Sequence, residues 1–151
     1  MTSRIDDPLR LDRQVCFALA LANRAVLSIY RPLLEPMGLT HPQYLVMLAL
    51  WGEAPLSVKE IGELVQLDSP TLSPLLKRLE SAGYISRRRD AHNERALVID
   101  LTAAGRALRA RAEQIPPAVV ARLGVTLEDL EELHSVLGRV NAAARRAAAA
   151  E

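Results

Sequence analysis

Between Asp68 and Thr102 the hydrophobic period of this chain changes within a few residues, and few folds accommodate that change. Asp68 is a helix-capping residue, and after it Leu72, Leu75, Leu76 and Leu79 recur at helical spacing until Gly83 stops the run. The spacing predicts a helix over about Asp68 to Ser81, with Pro70 suited to its first turn and Pro74 expected to distort its start. Tyr84–Arg89 and Ala96–Leu101 then read as two strands joined by the polar turn Asp90–Arg95, a β-hairpin pattern.

Helices flank this unit. Asp7-Pro8 reads as a helix start, followed by Leu11, Val15, Ala18, Ala22, Val26, Ile29 and Leu33 at helical spacing and an end near Pro32–Pro36. Thr40 with Gln43, and Ser57 with Glu60, have the spacing of capping boxes for helices over about Pro42–Trp51 and up to Val65. The first of these two is apolar almost all round and is expected to be buried. Thr102 caps another helix, interrupted at Pro116-Pro117, and Thr126 with Asp129 opens the last, whose alanine-rich end is expected to fray. Three short helices followed by a hairpin form the winged helix-turn-helix order. The expected class is therefore α+β, mostly α, with a winged helix-turn-helix core and long N-terminal and C-terminal dimerisation helices. One unit over 1–151 is expected, with a winged-helix lobe over 40–102 and helical dimerisation regions over 1–37 and 103–151.

Composition narrows the functional classes. Half the residues are apolar but only 3% are aromatic, so a core must come from Leu, Ala and Val, and a second subunit is expected to complete it. The longest apolar runs have 8 residues, against about 20 for a membrane span. Residues 1–10 lack a signal-peptide core, and the single Cys16 forms no intrachain disulfide, so a reduced, cytoplasmic setting is expected. His41, His92 and His134 with Cys16 lack metal-ligand spacing, and no glycine-rich phosphate loop or Ser-His-Asp pattern is present, so neither metal nor cofactor is expected. Trp51, at the end of an apolar helix, is expected in the core.

The net charge of +1 does not point to nucleic acid, but its distribution does. From Asp68 to Arg95, Lys77, Arg78, Arg87, Arg88, Arg89 and Arg95 outnumber Asp68, Glu80, Asp90 and Glu94. A helix entering the major groove needs small polar side chains at its leading end, which Ser69, Thr71 and Ser73 supply. Lys77 and Arg78 lie within reach of phosphate or base. Arg95 at the hairpin tip suits the minor groove, and Arg87, Arg88 and Arg89 suit backbone phosphates. The expected partner is double-stranded DNA with a pseudo-palindromic operator.

The stretch LDSPTLSPLLKRLESAGYISRRRDAHNERALVIDLTAAG resembles the MarR family of dimeric winged-helix regulators. The strongest signature is Asn93-Glu94-Arg95 followed by Leu101-Thr102-Ala103-Ala104-Gly105, where the family commonly has Asp in place of Asn93 to hold the wing arginine. The segments QVCFALALANRAVLSIYRPLLEPMGLTHPQYLVMLALW and LDSPTLSPLLKRLE resemble its OhrR branch of single-cysteine organic-hydroperoxide sensors. That resemblance implies a repressor that leaves DNA when Cys16 is oxidised, with Tyr30 among the residues serving the sulfur. Ala20 and His41 stand where the branch has tyrosines, which alters the sensing pocket.

Cys16, Asn23 and Tyr30 are spaced by seven on one flank of the first helix. Cys16 and Tyr30 are nevertheless about 21 Å apart along a helical axis, at 1.5 Å per residue. Cooperation between them requires an antiparallel copy of the helix in a second subunit. Arg13 favours a thiolate at Cys16, Asp12 opposes it, and His41 as a cation would favour it. With no second cysteine, a sulfenic acid at Cys16 would pass to a low-molecular-weight thiol, a backbone nitrogen or further peroxide. Two alternatives stay open: release by a small lipophilic or phenolic effector without cysteine chemistry, and a thiol peroxidase, which the lack of a resolving cysteine disfavours. Leu127, Leu130, Leu133 and Leu137 give the last helix a dimer or core face.

Overall fold

The computed structural model describes residues 7–150. Residues 1–6, which carry part of the signal-peptide reading, and residue 151 lie outside the described residues. The described chain forms two compact units, one ending at Ile115 and the other beginning at Pro116.

In the first unit, α1 (Val15–Leu34) is followed by α2 (His41–Glu53), β1 (Leu56–Ser57), α3 (Val58–Val65), α4 (Ser69–Ser81), β2 (Ile85–Arg89), β3 (Leu97–Leu101) and α5 (Ala103–Ala112). Local capping sets most boundaries. Both capping boxes form: the Thr40 and Ser57 hydroxyls accept from the Gln43 and Glu60 amides, and the Gln43 and Glu60 side chains return the bond. Asp68 accepts from the Thr71 amide, and Thr102 from that of Gly105. Gln66, in the left-handed region at φ 58°, turns α3 into α4. The α4 helix runs unbroken through Pro70 and Pro74.

Two sequence expectations need correction. Asp7-Pro8 does not start α1. The Asp7 carboxylate accepts from the Leu9 amide in a local turn, a 3-10 turn follows at Leu11–Arg13, and α1 begins only at Val15. The prolines at 116 and 117 do not interrupt a helix either. The α5 helix ends at Ala112, and the prolines occupy the first turn of α6, where their missing N–H groups cost nothing.

The sheet has the order β1-β3-β2, all antiparallel. The short β1, unforeseen from sequence, pairs Leu56 with Ile99. Beneath the sheet lies a core of Leu50, Leu56, Ile61, Leu72, Leu79, Ile85 and Ile99, each at most 3% exposed. As expected, α2 is largely buried, through Tyr44, Val46, Met47 and Leu50. Trp51 ties α2 to α5 by donating its indole N–H to the Gly105 carbonyl at 2.9 Å.

Tyr84 is where α4, the start of α5 and the segment just beyond α1 meet. Its hydroxyl donates to the Met37 carbonyl just beyond α1, at 2.8 Å. Its N–H donates to the Leu79 carbonyl of α4, and its own carbonyl accepts the Thr102 N–H at 3.1 Å. Next to it, the Thr102 hydroxyl donates to the carbonyl of Gly83, which sits at φ 84°. Gly105 lies so close that a Cβ there would stand 2.0 Å from the Tyr84 carbonyl oxygen.

The second unit contains the remainder of α6 (Ile115–Leu123) and α7 (Leu127–Ala149), capped by Thr126. No residue of α7 is buried, and Leu127, Leu133, Val136 and Val140 leave an apolar face uncovered.

Gly105→Ala must displace backbone rather than a flexible side chain. It is expected to lower unfolding free energy by about 1–3 kcal/mol. Gly52→Ala, at a helical site with nothing within 4 Å, should change it by less than about 1 kcal/mol and in the stabilising direction. Denaturant titration of the two variants checks this pair, and equal stability would show that the Tyr84 junction yields easily.

Candidate nucleic-acid interface and sensor cysteine

The α4 helix buries Leu72, Leu76 and Leu79 and turns its polar residues outward. Ser69, Thr71, Ser73, Lys77 and Arg78 are all exposed. Ser69, Ser73 and Lys77 follow at four-residue intervals along one edge, and Thr71 and Arg78 lie on the other. No ion pair holds Lys77 or Arg78 among the described residues.

The wing tip is tied by its own polar groups. The Asp90 carboxylate accepts from the His92 amide, and the Asn93 side-chain oxygen accepts from the Arg95 amide at 3.2 Å. The Ala96 N–H donates to the Asn93 carbonyl, and Arg89 donates to the Glu94 carbonyl. Asn93 therefore holds the backbone at Arg95 rather than its guanidinium. The side chains of Arg88 and Arg95 are exposed and carry no ion pair among the described residues.

Strand alternation separates the three consecutive arginines. Ile85, Arg87 and Arg89 share one face of β2, the face buried at Ile85, while Arg88 points to the other. Arg87 is thereby brought against α4, where its Nε and Nη2 donate to the two carboxylate oxygens of Glu80 at 3.1 and 2.9 Å. The hydrogen-bonded guanidinium lowers the Glu80 pKa, and the carboxylate raises that of Arg87. Arg87, expected from sequence at a phosphate, has this carboxylate as its partner instead.

An open groove of about 1060 Å3 runs between the α3–α4 corner and the wing. It is lined by Lys59, Asp68, Ser69, Asn93 and Arg95 among others. It brings Ser69 and Arg95 to one surface, as the sequence implied, and adds Lys59. The signal for Lys59 was its place in the first turn of a helix capped by Ser57, within the same lobe.

Cys16 occupies the second position of α1 and is exposed. Around it the helix surface is apolar and uncovered: Val15, Phe17, Leu19 and Leu21 are 70, 38, 37 and 47% exposed. Arg13 precedes α1, in the 3-10 turn, and Asp12 is ion-paired with Arg10 at 2.5 Å. At the far end of α1, Tyr30 meets His41 edge-on with ring centroids 5.0 Å apart, and Tyr44 packs against both. The structure thus joins Tyr30 to His41 within one chain and leaves Cys16 apart from them. Burial lowers the His41 pKa, so the neutral ring is favoured over the cation expected to aid the sulfur. Tyr44, which sequence reasoning did not single out, has its pKa raised by burial and then by Tyr30. A cavity of about 500 Å3 lies beside this cluster, lined by Leu27, Arg31, Leu34, Thr40 and His41 among others.

Comparison with known proteins places this geometry. Residues 28–111 match the family described as transcriptional regulator SarA/Rot, over more than half of the chain. The HTH-type transcriptional regulator TtmR of Methylorubrum extorquens is 49% identical over 128 residues, covering 85% of this chain and 66% of its own, just under two thirds of that longer relative. The organic hydroperoxide resistance transcriptional regulator of Bacillus subtilis is 41% identical over 131 residues, covering 87% of this chain and 89% of its own. The structure of reduced AbfR bound to DNA superposes with a TM-score of 0.76 at 33% identity, covering 91% of this chain and 94% of that one. MarR itself shares the fold, with a TM-score of 0.71 at 21% identity over 85% of this chain and 96% of its own. This chain belongs to the MarR/SarA type of winged-helix transcriptional regulators.

Proposed function

We propose that the protein is a homodimeric repressor that leaves its operator when an organic hydroperoxide oxidises Cys16. The observation that carries this reading is the exposed Cys16 on an uncovered apolar face of α1, with the Tyr30–His41–Tyr44 cluster at the opposite end of the helix. Antiparallel pairing of two α1 helices covers that face and sets Cys16 beside Tyr30 of the partner subunit. The apolar face of α7 offers further pairing surface. In such a two-fold dimer the two α4 helices address half-sites about one helical turn apart.

On DNA, Ser69, Thr71 and Ser73 lead α4 into the major groove. Lys77, Arg78, Arg88 and Arg89 meet phosphates, and Arg95 enters the minor groove. Support comes from the exposure of these side chains and from the DNA-bound relative AbfR. The relative from Bacillus subtilis is named for organic hydroperoxide resistance, and a solved AbfR structure is described as overoxidized.

In the sensing step the Cys16 thiolate attacks a peroxide oxygen. The O–O bond breaks, sulfur becomes a sulfenic acid, and the alkoxide leaves and takes a proton as the alcohol. A low-molecular-weight thiol then displaces water to form a mixed disulfide. Its bulk in a packed helix pair alters the spacing of the two α4 helices. With His41 neutral, the tyrosine hydroxyls rather than an imidazolium serve as donors to the sulfur. The step is stoichiometric, so no enzymatic turnover belongs to this reading, and the protein works in the cytoplasm without a cofactor. No helix among the described residues is long and apolar enough to cross a membrane.

One observation favours a second reading. The cavity beside His41 has an apolar wall of Leu27, Leu34, Leu39 and Pro42, with Arg31 and Glu35 of opposite charge on its lining, which suits a small lipophilic or phenolic effector.

Wild type and Cys16→Ser are compared for binding to a DNA duplex selected by the wild type from a random pool, before and after stoichiometric cumene hydroperoxide. Wild-type affinity is expected to fall about tenfold to a hundredfold while Cys16→Ser is unaffected. An equal response, or none, removes Cys16 from the mechanism, and peroxide consumption over many turnovers would show a peroxidase.

Arg95→Ala is expected to weaken binding and to reduce the slope of log affinity against log salt by about one unit. An unchanged slope would take the wing tip out of the phosphate-rich interface.

A further inference from the structure

We infer that the Glu80–Arg87 pair is a clamp that fixes the angle between α4 and the wing, and so sets sequence discrimination rather than general attraction to DNA. This rests on the DNA-reading function proposed above. Glu80 lies in the last turn of α4 and Arg87 at the centre of β2. The link between the elements consists of Ala82, Gly83 and Tyr84, with Gly83 at φ 84°. The base of the wing is anchored by Ile85, which is 2% exposed. Arg87 is the next residue on the same face, one step beyond the core. The side chains of Arg87 and Glu80 are 29 and 39% exposed, so apolar packing alone does not hold them. Their two parallel hydrogen bonds prescribe an orientation as well as a distance, which a single-point contact does not.

Leverage makes this matter. Ser69, at the leading end of α4, is about 17 Å along the helix from Glu80. Arg95 lies at the far end of the hairpin. A rotation of about 10° between the two arms moves one tip by about 3 Å relative to the other, more than a hydrogen bond tolerates. Phosphates are spaced along the whole duplex and forgive such an error, whereas base edges do not. The clamp also withdraws one positive charge from the basic patch, which lowers attraction to unrelated sequences.

The test uses the full-length protein with two probes: the duplex selected by the wild type from a random pool, and a scrambled duplex of equal length. Glu80→Gln and Arg87→Ala are each expected to lower affinity for the selected duplex about tenfold and to leave the scrambled duplex within about twofold. The double variant Glu80→Gln/Arg87→Ala should be no worse than either single change, because both remove one interaction. The salt slope of Arg87→Ala should equal that of the wild type. The swapped pair Glu80→Arg/Arg87→Glu should recover part of the discrimination, which general damage to the fold would not allow. The clamp is overturned if Arg87→Ala weakens both duplexes equally and reduces the salt slope by about one, since Arg87 is then a phosphate contact. It is also overturned if Glu80→Gln leaves discrimination intact or if the swapped pair recovers none. Failure of the wild type to select any duplex overturns the DNA-reading function itself, and the clamp with it.

Discussion

The close approach of Gly105 to the Tyr84 carbonyl is the constraint on which the rest of the winged lobe depends. It allows the start of α5 to lie against the entry of β2, and so allows β3 to return beside β2 within five residue pairs. The same junction receives the end of α1 through the bond between the Tyr84 hydroxyl and the Met37 carbonyl. The helix that carries Cys16 and the hairpin that carries Arg95 are therefore joined through one tyrosine. Arg111 adds a second tie from α5 to the same segment through the Pro36 carbonyl.

What was legible in the sequence was what short-range chemistry decides. Thr40 with Gln43 and Ser57 with Glu60 each settle a helix start within four residues and form as read, and Asp68 caps α4 as read, with the Thr71 amide as its donor. The hairpin was legible because the helical period stops at Gly83 and two short strand-like runs flank the polar turn Asp90–Arg95. Two-residue β1 was not, because its strand character comes from β3, some forty residues away in sequence. Asp7-Pro8 misled because an aspartate that caps a helix equally well closes a turn, and only the later start at Val15 distinguishes the two.

The candidate site divides in the same way. Exposure of Ser69, Thr71, Ser73 and Lys77 follows from the leucine stripe that faces the other way. The bond between Arg87 and Glu80 does not follow from charge counting, because it depends on the strand's turning Arg87 inward and Arg88 outward. Tyr44 was passed over for another reason. It sits in an apolar helix and looks like core, which it is, yet its ring also closes the cluster with Tyr30 and His41. Burial, which the sequence does not display, lowers the His41 pKa and favours its neutral ring.

The two prolines of α4 carry one more consequence. Pro70 and Pro74 restrict φ over the first turns of this helix, and Asp68 fixes its start through Thr71. The exposed end of α4 thus loses most of its conformational freedom when the chain folds. A surface that later engages it meets a part already ordered, and association there involves little further loss of backbone entropy.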